Sequence, residues 1–239
     1  MSNWGVVKQG RHVIVSDTSL FPDISPDYFN DQYWRDSGML LETRAERGIS
    51  YFFKHSNQEF VLRHYRRSGR VARVTEDLFL NLGANFSRAF REFKVLQQLY
   101  LAQLPVPRPA AARVEKRGIF LTGDIITMRL PNTAGLHLLL TARDFNSTFW
   151  RRLGATIRRF HDFGLFHADL TLPNILVDDD ENIWLIDFDR ARLKPQDEKW
   201  RQANLSRLRR SFSNQRKLLG KFHWREDEWQ DLLDGYSSA

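Results

Sequence analysis

His167-Ala168-Asp169-Leu170, then Asn174-Ile175-Leu176-Val177, then Ile186-Asp187-Phe188-Asp189 are the segments on which the reading of this chain turns. Asn174 stands five residues after Asp169, and Asp187 follows thirteen after Asn174. Leu165 and Phe166 read as a short strand leading into the first segment. Ile175–Val177 and Ile183–Ile186 read as two apolar strands around the polar turn Asp178-Asp179-Asp180-Glu181-Asn182. Closing that hairpin makes Asn174 and Asp187 neighbours. Two carboxylates and one carboxamide then converge on one place.

That trio suits phosphoryl transfer. A hydroxyl attacking the terminal phosphate of ATP needs orientation and a place for its proton, and Asp169 can supply both. Magnesium prefers oxygen ligands, which Asn174 and Asp187 offer. The spacing matches the kinase pattern H-R-D-L-x-x-x-N followed by D-F-G. His167 is expected to orient the loop from beneath the Asp187 backbone. Asp178 to Asp180 are expected only to keep the turn soluble.

The 239 residues are enough for one large core or two smaller lobes, and 42% hydrophobic with 13% aromatic residues indicates a folded globular chain. Cysteine is absent, which excludes disulfides, thiolate metal sites and thiol nucleophiles. Met1 to Val15 lacks the apolar core of a signal peptide, and no run approaches the ~18 apolar residues of a membrane span. The histidines at 12, 55, 64, 137 and 223 show no zinc-ligand spacing.

Net charge is +7, with 28 arginines against 8 lysines. Arginine's planar fork suits bidentate contact with phosphate and carboxylate. Arg63, Arg66, Arg67, Arg70 and Arg73 lie between Glu59 and Glu76 with no acid among them. Lys199 to Arg225 holds nine basic residues and again no acid. Leu205, Leu208, Phe212, Leu219 and Phe222 recur there at helical spacing, so an amphipathic helix accounts for the stripe. The missing acids point to an anionic partner. No RNA-binding motif is visible, and no nucleic acid partner is expected.

Further strands are predicted near 11–15, 40–43, 49–54, 59–65, 119–121 and 125–130. A helix starts at Ser25-Pro26-Asp27 and carries Tyr28, Phe29, Tyr33 and Trp34. Ser87 caps another, bearing Phe90, Phe93, Leu96 and Leu99, which Pro105 and Pro107 end. A third, from about Asn146 to Gly164, buries Phe149, Leu153, Ile157 and Phe160. The expected fold class is α+β: a two-lobed protein-kinase-like fold with an antiparallel-sheet N-lobe, 1–128, and a mainly helical C-lobe, 129–239.

Several runs together resemble the 3-deoxy-D-manno-octulosonic acid (Kdo) kinase family. They are His161-Asp162-Phe163-Gly164 into His167–Leu170, Asn174, Ile186 to Arg190, Trp200-Arg201-Gln202-Ala203-Asn204-Leu205, Val61 to Arg67, Phe90-Arg91-Glu92-Phe93 and Leu104 to Pro109. The resemblance implies an enzyme of bacterial lipopolysaccharide biosynthesis. Such an enzyme uses ATP and Mg2+ to phosphorylate Kdo, at its 4-hydroxyl, on a lipid A precursor. It implies an anionic glycolipid acceptor and a peripheral location on the cytoplasmic face of the inner membrane.

In the N-lobe, Arg63 stands where a protein kinase carries its phosphate-binding lysine, with Glu92 as its expected partner; Lys54 is expected to face solvent. Gly48 is the single glycine of the expected nucleotide cover. Asp189 replaces the glycine of D-F-G, and no A-P-E segment follows, which argues against a regulated protein kinase. Arg190 is equally suited to touching phosphate or bridging to Asp189. The residues also fit a kinase of another acceptor (a heptose of the same glycolipid, a small molecule, a protein serine) and an anion-binding pseudokinase.

Overall fold

A computed structural model of the protein describes residues 3–45, 49–65, 87–117 and 120–239. The chain divides into two compact units, Met1–Gln98 with Pro107–Arg129, and Leu99–Val106 with Leu130–Ala239. The fold is α+β, sheet-rich in the first unit and mainly helical in the second.

Among the described residues, the first unit is built on seven antiparallel strands: β1 (Trp4–Gln9), β2 (His12–Asp17), β3 (Leu40–Arg44), β4 (Ser50–His55), β5 (Gln58–Tyr65), β6 (Pro109–Arg117) and β7 (Phe120–Met128). Their order is β1-β2-β6-β7-β5-β4-β3. Period-two alternation sends neighbouring residues to opposite faces. Leu62, Ala111 and Ile126 join Phe21, Phe29, Trp34, Phe53 and Phe60 in one apolar cluster. Ala112, Val114 and Ile125 join Phe90 and Phe93 in another. Ser56 and Asn57, both at positive φ, close β4 onto β5 in a two-residue hairpin.

The helix predicted from Ser25 is instead a 3-10 turn, Pro26–Phe29, followed by a separate short helix α1 (Asp31–Asp36). Asn30 divides them, because its extended backbone ends the turn while its side chain caps Gln32 N at 3.1 Å. The two strands predicted at 119–121 and 125–130 are one strand, β7. Thr122-Gly123-Asp124 looks like a turn in sequence, yet Asp124 sits mid-strand, held by Arg113 at 2.7 Å and His64 at 2.6 Å. Gly123 is needed there: a Cβ would lie 2.9 Å from Ala89 Cβ on α2 (Arg88–Leu101). The Ser87 hydroxyl caps α2 by accepting from Phe90 N at 3.1 Å.

In the second unit, β8 (Ala134–Gly135), β10 (Ile175–Val177) and β11 (Ile183–Leu185) form a small sheet, and β9 (Leu165–Phe166) pairs with β12 (Arg192–Leu193). Four helices carry the rest: α3 (Leu136–Ala142), α4 (Ser147–Asp162), α5 (Glu198–Leu218) and α6 (Glu226–Ser238). Asn146 caps α4 by accepting from Phe149 N at 2.9 Å. Phe149, Leu153, Ile157 and Phe160 are all buried, as their spacing requires. Helices α4 and α6 meet backbone to backbone through two glycines. A Cβ on Gly154 would stand 1.9 Å from Leu232 O, and one on Gly235 2.0 Å from Arg151 O. Helix α5 ends at Leu218, so Leu219 and Phe222 lie beyond it and do not extend its stripe. Among the described residues, no helix is long and apolar enough to cross a membrane.

Candidate active site

Helix α4 stops at Asp162, and the chain reverses through Gly164, whose φ of +89° suits glycine and whose Cβ would meet Lys194 O at 2.7 Å. Strand β9 then delivers the loop beginning at His167. Buried His167 organises that loop. Its Nδ1 accepts from Asp169 N at 3.2 Å, so the ring hydrogen is on Nε2, which donates to Ile186 O at 3.0 Å. The ring packs on Phe188, centroids 5.1 Å apart. Burial pushes the imidazole pKa down, against the Ile186 hydrogen bond and the Asp187 and Asp169 charges. His167 is therefore a neutral tie between two segments, with no hydrogen to spare for chemistry.

Asn174 ends the loop in a 3-10 turn, Leu172–Asn174, and is buried. Its Nδ2 donates to Asp169 O at 2.9 Å and to Asp169 Oδ2 at 3.1 Å. Those two bonds fix the amide's orientation, placing Oδ1 on its opposite side. The backbone O of Asn174 accepts from Ile186 N at 3.0 Å, which sets Asp187 one residue from that bridge. Asp187 has φ +64°, a left-handed conformation that costs a non-glycine residue ~1 kcal/mol. The surrounding packing holds it there: Phe188 behind it is 1% exposed. Asp169, Asn174 and Asp187 thus gather at one end of the β10–β11 hairpin.

The hairpin's other end is better built than an acidic solubilising turn. Asp178 accepts from Asp180 N at 3.0 Å, Asn182 N at 2.8 Å and Asn182 Nδ2 at 3.0 Å. This carboxylate ties the turn to itself, which keeps β10 and β11 in register.

Two buried residues of α5, for which the sequence suggests no role at the site, hold the loop. His167 N donates to Asn204 Oδ1 at 3.1 Å, and Leu172 N to Ser211 Oγ at 3.0 Å. The available signal was position: both are polar residues in line with the apolar face of Trp200, Leu205, Leu208 and Phe212. Arg190 is exposed.

In the first unit, Arg63 on β5 is ion-paired with Glu92 on α2, and Tyr65 also donates to that carboxylate. Glu92 is 1% exposed, so the carboxylate is buried against its partners. Lys54 is exposed. Gly48 lies outside the described residues, as do Arg66, Arg67, Arg70 and Arg73. Among the described residues no group of three or more His, Cys, Asp or Glu could cage a metal ion. An amide and a carboxylate instead suit magnesium that keeps waters and shares phosphate oxygens.

Known proteins agree with this chemistry. The family described as lipopolysaccharide kinase (Kdo/WaaP) matches residues 31–236. A 3-deoxy-D-manno-octulosonic acid kinase of Vibrio vulnificus is 35% identical over 210 residues, covering 88% of each chain. The one of Vibrio parahaemolyticus is 33% identical over 230 residues, 96% of each. That of Actinobacillus succinogenes is 36% identical over 218 residues, 88% of this chain and 90% of the relative. The chain therefore belongs to the lipopolysaccharide kinase (Kdo/WaaP) family, has its kinase-like fold, and is an ATP-dependent phosphotransferase.

Proposed function

We propose that the chain transfers the terminal phosphate of ATP to Kdo, at the 4-hydroxyl, on a lipid A precursor. The relatives' names support Kdo as the acceptor sugar. The observation that carries the site assignment is the Asn174 carboxamide, which grips both the main chain and the side chain of Asp169. In this reading Asp169 orients the acceptor hydroxyl and takes its proton as the new O–P bond forms and the bond to ADP breaks. Asn174 and Asp187 would hold Mg2+, whose charge would offset that on the phosphate oxygens. Arg63, ion-paired with Glu92 in the first unit, offers a nucleotide phosphate a guanidinium in place of lysine.

An acceptor bearing phosphates, a carboxylate and acyl chains would draw the enzyme peripherally to the cytoplasmic face of the inner membrane. What supports this is the outer surface of α5 and its exit: Arg207, Arg210, Arg216, Lys217 and Lys221 are exposed, and Leu218 among them is 75% exposed. Basic residues near an anionic surface contribute about 1 kcal/mol each, so reversing four of them should abolish sedimentation with phosphatidylglycerol vesicles. Unchanged sedimentation and unchanged activity on lipid-embedded acceptor would sink the membrane assignment.

ATP turnover with Kdo-lipid A precursor, followed by mass spectrometry of the product, tests the rest. Asp169→Ala should lower kcat about 1,000-fold, the usual worth of a positioned general base. Turnover untouched by that change refutes the base. A product phosphorylated on another sugar refutes the acceptor.

A further inference from the structure

The loop from His167 to Leu172 has no sheet ladder of its own, yet its amides are largely accounted for. Asp169 N goes to His167 Nδ1 and Leu170 N to His167 O, both within the loop. The two amides that leave it, His167 N and Leu172 N, both go to side chains of α5. Their acceptors, Asn204 and Ser211, are seven residues apart, close to two helical turns and about 10.5 Å along the axis. They share one helix face, and Asp169 lies between the two loop residues they hold.

We infer that Asn204 and Ser211 are positioning residues that clamp this loop onto α5 at two points and thereby set where the Asp169 carboxylate stands. A polar group in a buried stripe costs free energy unless its hydrogen bonds are used. Asn204 is 1% and Ser211 7% exposed, in line with Leu208, which is 0% exposed, and a leucine at either site would pack the helix without that cost. The use that justifies them is the loop. Asn204 is itself held from behind. His161 on α4 hydrogen-bonds its side chain, and Tyr236 on α6 reaches His161 Nδ1 at 2.8 Å. Tyr236, His161 and Asn204, one from each of three helices, thus form one buried polar chain behind the loop. Trp200, one turn before Asn204, closes the side of this chain with its ring edge-on to His161 at 5.2 Å.

The inference rests on Asp169 being the base, so its test includes a readout that needs no turnover. Amide hydrogen exchange at His167 and Leu172 should quicken at least about 10-fold in Asn204→Leu and Ser211→Ala respectively, the loss of one buried bond each. Unchanged exchange at both amides overturns the clamp whatever Asp169 does. In kinetics, a displaced carboxylate should lower kcat of Asn204→Leu roughly 10- to 100-fold while KM for ATP stays within about 2-fold. Asn204→Asp keeps two acceptor oxygens and should recover kcat to within about 3-fold of wild type. Ser211→Ala should lower kcat roughly 3- to 10-fold and Ser211→Thr restore it. Should Asn204→Leu fail to fold, the Ser211 pair carries the kinetic test, since Ser→Ala within a helix is well tolerated. Folded variants with wild-type kcat, or an Asn204→Asp as impaired as Asn204→Leu, overturn the inference. Loss of the Asp169 assignment alone would show as turnover surviving Asp169→Ala with the exchange pattern intact.

Discussion

His161 should make this protein acid-labile well above the range in which carboxylates titrate. Its imidazole is 1% exposed, and burial is the main force driving its pKa from 6.5 down to about 4. Arg201 and Arg158 push the same way, while the Asn204 hydrogen bond and Asp162 oppose them. A histidine depressed in the folded state leaves the unfolded chain with the higher proton affinity. Stability is therefore fully present above pH 6.5 and is lost as pH falls toward 4. At about 1.4 kcal/mol per tenfold change in proton affinity, the gap amounts to roughly 3 kcal/mol. His167, also depressed by burial, adds in the same direction. The assay is urea unfolding, followed by circular dichroism at pH 7.5, 6, 5 and 4.5, for wild type and His161→Gln. Glutamine cannot take a proton, so the two curves should converge by roughly 3 kcal/mol on acidification, about one proton's worth of slope near pH 5. Curves that stay parallel from pH 7.5 to 4.5 would mean that the imidazole takes its proton as readily in the fold as in the unfolded chain, and the buried neutral ring would be refuted.

Gly154→Ala should destabilise the protein by about 2 kcal/mol despite alanine's better helix propensity, because its Cβ would meet Leu232 O at 1.9 Å and must part α4 from α6. Gly220→Ala, with nothing within 4 Å, should be near neutral in the same thermal melt; a stabilised Gly154→Ala would refute the close packing. Asp178→Ala removes the acceptor that closes the β10–β11 turn and should cost about 1 kcal/mol, read by denaturant midpoint, with Asp178→Asn in between. Arg113→Leu strands buried Asp124 with only His64 and should cost about 3 kcal/mol, much of it recovered in the Arg113→Leu/Asp124→Leu double variant. A double variant as unstable as the sum of the two singles would show that Asp124 has another task.

Where apolar periodicity and turn chemistry agreed, the sequence could be read directly. Strands β3, β4 and β5, the Ser87-capped α2 and the Asn146-capped α4 lie within a residue or two of expectation, and Asp169, Asn174 and Asp187 do gather at one hairpin end. What escaped was buried in ways that composition hides. Strand β6 begins Pro-Ala-Ala-Ala, poor strand formers, yet as a central strand its alanines at 110, 111 and 112 are 0% exposed and let neighbouring layers approach. Strand β7 carries a glycine and an aspartate at its middle that only the Arg113 and His64 partners, distant in sequence or facing across the sheet, make admissible. Helix α6 shows a weak apolar pattern because it meets α4 through glycine instead of large side chains. Asn204 and Ser211 look like blemishes in an amphipathic stripe until the loop they hold is in view.

The excess of arginine divides along the same line. Read as a sequence, 28 arginines with two acid-free clusters point to an anionic partner for those clusters. In the fold many are spent on individual buried acids: Arg63 on Glu92, Arg108 on Asp17, Arg113 on Asp124 and Arg11 on Glu115, each acid 3% exposed or less. A buried carboxylate must be paired and hydrogen-bonded to stay ionised, and arginine's fork does this with its charge fixed at every working pH, where lysine's would give way. The sheet unit thus uses arginine as an internal counter-ion. Helix α5 uses it differently at its two ends. Arg201, 9% exposed, is bonded to Asp162 at 2.9 Å, whereas Arg207, Arg210, Arg216 and Lys217 stand in solvent with no acid between Lys199 and Arg225 to answer them. One helix therefore carries the loop's two acceptors on its buried face and the free positive charge on its outer face. The same element that would fix the base would then also face an anionic substrate surface.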